Sequence, residues 1–388
     1  MFAIDDAYIV CGAAPPAPSR LLISGDIIQA IGWEDSVPLP ASAEVLPVFG
    51  RRVVPGFVDL HIHGAAGACF SEGDPESFAT ICRWAAQHGT TSLLATLDPA
   101  PEEQLIQVLR ALAEFEGVPD GARLAGIHLE GPFLNKELAG AHAAEHFRPP
   151  ALDELERLIE AAGGKLKHIT LAPELGGAIG AIEYLRERGI TVGLGHSKAD
   201  FRTARRAVAR GAVVGTHVPH SLPPMHHRDL NITSVLVTDD RVTAELIADG
   251  VHVHPAMVRL LVRAKGARRV ALVTNSIFAA GLPDGDYSRG DMPVVVHDGI
   301  SHRQTRDGAL AGSRLTMVEA FGNVVRFAGV SLYEAAQRSA EVPAAIIGED
   351  DRVGRIEAGR RADLTILDHD GSVWMTIVGG RIVYKAEE

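Results

Sequence analysis

The sequence predicts an α/β protein built on a (β/α)8 TIM barrel, with a small β-sandwich domain assembled from both ends of the chain. Three observations support this prediction. Apolar, β-rich runs alternate with amphipathic helical patterns through the middle of the chain, both ends show only short apolar runs between turn residues, and polar residues recur where the predicted strands end. We expect the small domain to comprise residues 1–54 and 355–388, and the barrel to comprise residues 55–354.

The two ends of the chain have the pattern of short strands joined by tight turns. Near the N-terminus, apolar runs flank Gly25-Asp26, a dipeptide that is typical of hairpins. Near the C-terminus, apolar runs flank Asp370-Gly371 in the same way. We therefore expect the strands of both ends to pair with one another.

The middle of the chain supplies the strands and helices of the predicted barrel. Apolar, β-rich runs occupy residues 53–60, 91–96, 124–129, 166–172, 190–195, 212–218, 243–248 and 270–274. Amphipathic helical patterns lie between most of these runs, for example at residues 76–88, 102–115, 178–189, 200–210 and 255–265. This alternation favours a parallel barrel, with a doubly wound open sheet as the alternative. The residues at the strand ends favour the barrel.

Composition and charge argue against several classes of protein. The chain is 46% apolar, so it can bury a large core, and its net charge of −12 argues against nucleic acid as a partner. No apolar run reaches the roughly 18 residues that a membrane-spanning helix needs, and the N-terminus lacks the pattern of a signal peptide. The three cysteines, Cys11, Cys69 and Cys82, show no CxxC spacing. We therefore expect a cytoplasmic protein without a disulfide framework.

Metal-binding residue types recur at the carboxyl ends of the predicted barrel strands. In strand order, these residues are His61, His63, Glu130, His196, His217, Asp249, His252 and Asn275. The carboxyl-terminal rim of a TIM barrel is where catalytic groups converge. The sequence therefore predicts a site at this rim.

Taken one by one, the histidines have ordinary explanations, because a single histidine is more often a hydrogen-bonded core residue than a ligand. The spacing of His61 and His63 places both side chains on one side of a strand. Four histidines and one glutamate at the ends of separate strands together indicate one or two divalent metals, Zn²⁺ first and Fe²⁺ as the alternative. His61, His63 and Glu130 can hold one metal, and Glu130, His196 and His217 the other, with Glu130 as the bridge.

Several stretches carrying these residues resemble the N-acetylglucosamine-6-phosphate deacetylases of the amidohydrolase superfamily. The matching stretches are residues 55–64 (PGFVDLHIHG), 126–133 (GIHLEGPF), 140–142 (GAH), 194–197 (LGHS), 248–252 (ADGVH), 310–317 (LAGSRLTM) and 354–364 (GRIEAGRRADL). The resemblance implies metal-dependent hydrolysis of the acetamide of N-acetylglucosamine 6-phosphate, giving glucosamine 6-phosphate and acetate. It further implies a cytoplasmic homodimer that acts in amino-sugar recycling.

The resemblance also implies roles for individual residues. It implies that Glu130, His196 and His217 bind one metal, and that His61 and His63 occupy the pair that some members use for a second. The substrate contacts that it implies are Ala141, His142, His220, Ser221, Arg228, His252, Leu310, Ala311 and Gly312. Arg228 would contact the phosphate, and a basic residue of the neighbouring subunit would complete the phosphate-binding site. His252 would help to stabilise the oxyanion of the amide.

Two departures from the family pattern bear on activity. His220 and Ser221 replace an Asn-Ala pair that contacts substrate in the family. Asn275 stands where the family has the aspartate that acts as general base and acid, and an amide cannot exchange a proton at neutral pH. Two explanations fit Asn275, a naturally impaired or repurposed relative and a change introduced to trap substrate, and the intact remainder of the site favours the second.

The departures keep two alternative functions open. One is an amidohydrolase that acts on a different N-acyl sugar or on a cyclic amide. The other is a non-catalytic sugar-phosphate-binding relative, in which Asn275 is a natural loss. Turnover by an Asn275→Asp variant would separate an enzyme from a binding protein, and a deacetylation screen over N-acetylated sugar isomers would identify the substrate.

Overall fold

The computed structural model describes residues 1–12, 18–289, 292–304 and 309–387. The central part of this chain forms a parallel barrel surrounded by helices, and the two ends form a separate sheet beside it. None of the helices in the described part is both long and apolar enough to cross a membrane.

The barrel strands are connected in the order in which they occur along the chain. In the described residues these eight strands are Phe57–Ile62, Thr90–Leu97, Arg123–Glu130, Leu166–Leu171, Thr191–Leu194, Val214–Gly215, Thr243–Leu246 and Val270–Leu272. Each strand pairs in parallel with its neighbour in sequence. The strand order never reverses, which excludes the doubly wound sheet. A bridge between Ile62 and Ser276 joins the first strand to the segment after the eighth.

The first predicted strand, residues 53–60, is divided in the structure. Arg52–Pro55 belongs to the sheet of the chain ends, where it pairs antiparallel with Leu364–Leu367. The first barrel strand begins at Phe57, immediately after Gly56. A Cβ atom at Gly56 would lie 2.2 Å from the Cγ2 methyl of Thr91, so the chain can pass from one sheet to the other only with glycine here.

Helices cover the outside of the barrel, and the predicted helical patterns are confirmed. The α-helices are Pro75–Gln87, Glu102–Glu114, Leu152–Ala161, Ala178–Glu187, Phe201–Arg210, Ile232–Thr238, Pro255–Lys265, Met317–Ala328, Leu332–Ala336 and Val342–Ile346. The first begins where the Asp74 carboxylate accepts a hydrogen bond from Ser77 N, with a proline in its first turn. Their apolar faces join the strands in one large core.

Strands from both ends of the chain pair in a single sheet, as predicted. The strands are Phe2–Ile9, Pro18–Ser24, Ile27–Trp33, Glu44–Pro47, Arg52–Pro55, Leu364–Leu367, Val373–Val378 and Arg381–Lys385. The hairpin at Gly25-Asp26 joins Pro18–Ser24 to Ile27–Trp33. Ile4, Leu21 and Ile366 belong to a core distinct from that of the barrel.

A small antiparallel sheet follows the eighth barrel strand and was not predicted. Its strands are Gly285–Arg289, Met292–His297 and Ile300–Arg303. Val294 and Val296 pack against Ile277 and Phe278, and the partly buried Ala141 joins the same cluster. This sheet therefore forms one wall beside the carboxyl ends of the barrel strands.

Candidate active site

The carboxylate of Glu130 lies at the centre of the barrel rim, with 1% of its surface exposed. Among the described residues, five imidazoles direct Nε2 atoms at it, and we call them the imidazole cluster: His61, His63, His142, His196 and His217. His61 lies on the first barrel strand and His63 directly follows it, the third strand ends at Glu130, and His196 and His217 follow the fifth and sixth strands. The structure thus brings together all the predicted metal ligands.

The two oxygens of Glu130 face different members of the imidazole cluster. Oε1 lies 3.1 Å from His196 Nε2 and 2.7 Å from His217 Nε2. Oε2 lies 3.2 Å from His61 Nε2 and 3.1 Å from His63 Nε2. His142 Nε2 approaches the same oxygen, Oε2, at 3.0 Å. The two oxygens of Glu130 thus face the two sets of histidines that the sequence assigns to separate metals.

The donor atoms of the imidazole cluster fit divalent metals. The Nε2 atoms of His61 and His63 lie 3.2 Å apart, and those of His196 and His217 also lie 3.2 Å apart. Two nitrogens bound to one zinc ion at about 2.0–2.1 Å are separated by a similar distance. One carboxylate cannot accept aligned hydrogen bonds from so many imidazoles that also face one another. Two groups around Glu130 have donor atoms close enough to hold a metal, one with His61 and His63 and the other with His142 and His196, and His217 Nε2 lies beside the second group.

Burial and the surrounding charges shift the pKa values of these groups in opposite directions. Burial by itself would raise the pKa of Glu130, but His61 and His142 lower it well below its usual range. Burial would lower the pKa of His61, but the Glu130 carboxylate raises it to about 10. Burial lowers the pKa of His196 to about 4, against the effect of Glu130. A proton and a metal ion therefore compete for the nitrogen of His61, and metal binding there releases a proton.

Three residues at the barrel rim have a backbone conformation that is uncommon for side chains with a Cβ atom. His196, His217 and Asn275 have φ values of +46°, +33° and +51°. Such a conformation costs about 1–3 kcal/mol per residue and persists where the surroundings impose it. Asn275 N donates to His61 O at 2.7 Å, and Asn275 O accepts from Ser313 N at 2.8 Å. The strained turns direct side chains from separate strands toward one point.

A layer of polar side chains lies below the rim, inside the barrel, and sequence reasoning missed it. Glu245 Oε2 lies 3.3 Å from His61 Nδ1, and Glu245 Oε1 lies 3.7 Å from His168 Nδ1. The rings of His128 and His168 stack with their centroids 4.2 Å apart. A signal was available, because His128 and Glu130 are two residues apart on one strand and point to the same side.

Asp98 is a further residue of the site that the sequence analysis did not identify. It directly follows the second barrel strand, so the rule that identified the other strand-end residues also applied to it. Its Oδ1 atom lies 3.1 Å from His63 Nδ1 and 3.3 Å from His142 Nδ1. Burial would raise the pKa of Asp98, but the two imidazoles lower it well below its usual range.

A narrow cavity opens onto the imidazole cluster, and most of the predicted substrate contacts line it. Those in its wall are Ala141, His142, His220, Ser221, Leu310 and Gly312. His252 lines an adjoining cavity of about 780 Å³, which also includes Gly312. Ala311 is fully buried in the cluster of the small antiparallel sheet and is not among the lining residues. Arg228 lies on an exposed segment and lines neither cavity.

Comparison with known proteins shows which family has this site. The sequence matches the amidohydrolase family over residues 52–383. The chain belongs to the amidohydrolase family. This family is metal-dependent, so the atoms around Glu130 form a candidate metal centre.

Within the amidohydrolase family, the chain is similar to deacetylases of amino-sugar phosphates. N-acetylglucosamine-6-phosphate deacetylase of Vibrio furnissii is 35% identical over 346 residues, covering 89% of this chain and 86% of that protein. N-acetylgalactosamine-6-phosphate deacetylase of Escherichia coli O157:H7 is 34% identical over 361 residues, covering 92% and 93%. An aspartate-to-alanine variant of N-acetyl-D-glucosamine-6-phosphate deacetylase from Mycobacterium smegmatis has been solved with N-acetyl-D-glucosamine-6-phosphate. It matches with a TM-score of 0.91 at 33% identity, covering 98% of this chain and 99% of that one. The resemblance predicted from the motifs is confirmed.

His252 of this amidohydrolase is held in one orientation. Its Nδ1 atom lies 2.6 Å from Asp249 Oδ2, and its ring meets the edge of His220 with centroids 4.9 Å apart. Its Nε2 atom is buried and has no hydrogen-bond partner among the described residues. Nε2 is therefore the atom of His252 that is left for a ligand.

Proposed function

We propose that the chain hydrolyses the acetamide of N-acetylglucosamine 6-phosphate, giving glucosamine 6-phosphate and acetate. The observation that carries this proposal is the convergence of the imidazole cluster on Glu130 beside a narrow cavity. The similarity to deacetylases of amino-sugar phosphates supports the substrate class. A metal-dependent hydrolase needs a water nucleophile, a polarised amide and a proton carrier, and each requirement bears on particular residues.

The metal would be held by Glu130, His196 and His217, with His61 and His63 holding a second ion. When bound, a divalent metal of this kind polarises the amide carbonyl and lowers the pKa of water. Imidazole and carboxylate donors suit Zn²⁺, with Fe²⁺ as the alternative.

The protein's own residues bind and orient the substrate. The acetamide enters the narrow cavity, whose wall includes His142 and Leu310. Because Asp249 fixes the ring of His252, the free Nε2 atom is directed at the ligand, where we propose that it helps to stabilise the oxyanion. Asn275 occupies the position from which a carboxylate would move the proton to the departing amine, so the chain as it stands binds substrate but hydrolyses it slowly.

We also propose that the phosphate is bound by Arg228. Arg228 is exposed and outside both cavities in a single chain. The site is therefore proposed to be complete in a homodimer, where a basic residue of the neighbouring subunit joins it. A phosphorylated substrate of this kind also favours a cytoplasmic location, because sugar phosphates are retained inside cells.

A second candidate is the galacto isomer, or another N-acyl sugar. His220 and Ser221 line the cavity where the family pattern has an Asn-Ala pair, and one relative is an N-acetylgalactosamine-6-phosphate deacetylase. An imidazole is bulkier than a carboxamide and presents its nitrogens at a different place, so the hydroxyl groups of the sugar would be recognised differently.

A substrate screen tests both candidates and the non-catalytic alternative. The Asn275→Asp protein, supplied with Zn²⁺, is incubated with N-acetylglucosamine, its 6-phosphate and the galacto and manno 6-phosphates, and the release of acetate is measured. We expect the highest kcat/KM with N-acetylglucosamine 6-phosphate. Preference for another isomer would identify that isomer as the substrate, whereas binding of sugar phosphate without acetate release would support the non-catalytic alternative.

A further inference from the structure

Asp98 lies between two imidazoles that have different proposed roles. Its Oδ1 atom is 3.1 Å from Nδ1 of His63, a proposed metal ligand, and 3.3 Å from Nδ1 of His142, a proposed substrate contact. Both rings direct their other nitrogen, Nε2, at Glu130 Oε2, at 3.1 and 3.0 Å. A single carboxylate oxygen is therefore positioned behind both rings.

The Asp98 carboxylate is itself fixed in place. Ser71 Oγ donates to Asp98 Oδ2 at 3.1 Å, and the backbone N of Asp98 donates to Ser71 Oγ at 3.2 Å. The Asp98 side chain is 27% exposed, so water reaches only part of it. The carboxylate thus has a defined orientation relative to both imidazoles.

The placement of Asp98 determines which nitrogen of each ring can act as a donor. A carboxylate beside Nδ1 stabilises a proton there, which leaves a lone pair on Nε2. Neither Nδ1 atom has an aligned hydrogen bond within the described part of the chain, and the Asp98 carboxylate, at 3.1 and 3.3 Å, is the acceptor that lies beside both.

We propose that Asp98 is a positioning residue that couples metal binding to substrate binding by orienting His63 and His142 together. The inference rests on the proposed function, because it takes His63 as a metal ligand and His142 as a substrate contact. Glu245 stands behind His61 in a similar way, at 3.3 Å, but it does not contact His142. Loss of Asp98 should therefore affect both metal and substrate, whereas loss of Glu245 should affect the metal alone.

The experiment compares graded variants with a surface control. Asp98→Asn removes the charge, Asp98→Ala removes the acceptor, and Ser71→Ala loosens the carboxylate without changing its charge. Asp120→Asn is the control, since Asp120 is exposed and pairs with Arg83 at the surface. Zn²⁺ affinity is measured by competition with a chromogenic chelator, and the visible spectrum of the Co²⁺ form reports ligand geometry. All variants are also made with Asn275→Asp, so that kcat and KM can be measured at saturating metal.

Removing an outer partner of a metal-bound histidine typically costs about 10–100-fold in metal affinity. We expect a loss of this size for one ion with Asp98→Asn, a larger loss with Asp98→Ala and a smaller one with Ser71→Ala. At saturating metal, KM should rise least with Ser71→Ala, more with Asp98→Asn and most with Asp98→Ala. Glu245→Gln is the comparison variant, because Glu245 contacts His61 and not His142, and it should leave KM unchanged.

The outcomes separate this inference from the proposed function. If the unaltered protein binds Zn²⁺ and the Asn275→Asp form releases acetate, but Asp98→Asn changes neither metal affinity nor KM, the inference is wrong. A fall in metal affinity without a rise in KM would also overturn the coupling. If the unaltered protein binds no Zn²⁺, or the Asn275→Asp form releases no acetate from any sugar, the proposed function fails instead. Ser71→Ala keeps the test decisive if both Asp98 variants fail to fold.

Discussion

Replacing Asn275 by aspartate should restore the proton carrier of the proposed reaction. The Asn275 side chain is 7% exposed and lines the cavity beside the imidazole cluster. Its backbone is held on one side by His61 O and on the other by Ser313 N. Because aspartate and asparagine are nearly isosteric, these bonds keep the new carboxylate where the amide now lies, and the cavity keeps its shape.

The expected size of the effect follows from the role of the carboxylate. General acid–base catalysis typically contributes about 10²–10⁴-fold to a rate. At about 1.36 kcal/mol for each tenfold change, this corresponds to about 2.7–5.4 kcal/mol in the activation barrier. We therefore expect Asn275→Asp to raise kcat by about 10² or more, with a smaller change in KM, because the contacts that bind substrate are unaltered.

The assay measures initial rates of acetate release from N-acetylglucosamine 6-phosphate at saturating Zn²⁺, so that kcat and KM are obtained separately. Asn275→Ala is the matched control, because it removes the amide without supplying a proton carrier, and it should remain as slow as the unaltered chain. Equal kcat values for the unaltered chain and the Asn275→Asp variant would refute the reasoning, since the proton would then move through another group.

Three further predictions concern metal, phosphate and stability. The double variant His196→Ala, His217→Ala should lose one metal ion per subunit in elemental analysis, and full metal content would contradict their assignment as ligands. Arg228→Ala should raise KM for the phosphorylated sugar more than for the unphosphorylated one, and an equal effect on both would mean that Arg228 does not bind the phosphate. Burial lowers the pKa of Lys265 from 10.5 to about 8. Between these values the unfolded chain binds more protons, so the free energy of unfolding should rise with pH. Lys265→Met should flatten this rise in chemical denaturation, and an unchanged slope would be the contrary result.

The sequence predicted the barrel and most of its rim because both depend on local patterns. Apolar runs and amphipathic repeats gave the strands and helices, and strand ends gave the positions of Glu130 and the proposed metal-binding histidines. The prediction of a single strand at residues 53–60 was wrong, because this continuous apolar run crosses from one sheet to another at Gly56. Sequence reasoning also missed the small antiparallel sheet after the eighth strand, whose short strands carry little periodicity.

The parts of the site that sequence reasoning missed are those defined by neighbours from distant strands. The position of Asp98 after a strand could be read from the sequence, but its contacts with His63 and His142 exist only because strands from different parts of the chain meet at the rim. Glu245 is likewise separated from His61 by 184 residues. In the structure, Arg228 lies at an exposed position outside both cavities, which the resemblance to the family did not indicate.

By itself, the sequence determined the order of strands and helices, the residue types at the strand ends and therefore the chemistry of the rim. These properties follow from backbone periodicity and side-chain chemistry, which act over a few residues. Only the tertiary structure decided that the oxygens of Glu130 divide the imidazole cluster between them, and that Asp98 stands behind two of its rings. Distances of about 3 Å between groups far apart in sequence are fixed by barrel closure and packing, which no local pattern encodes.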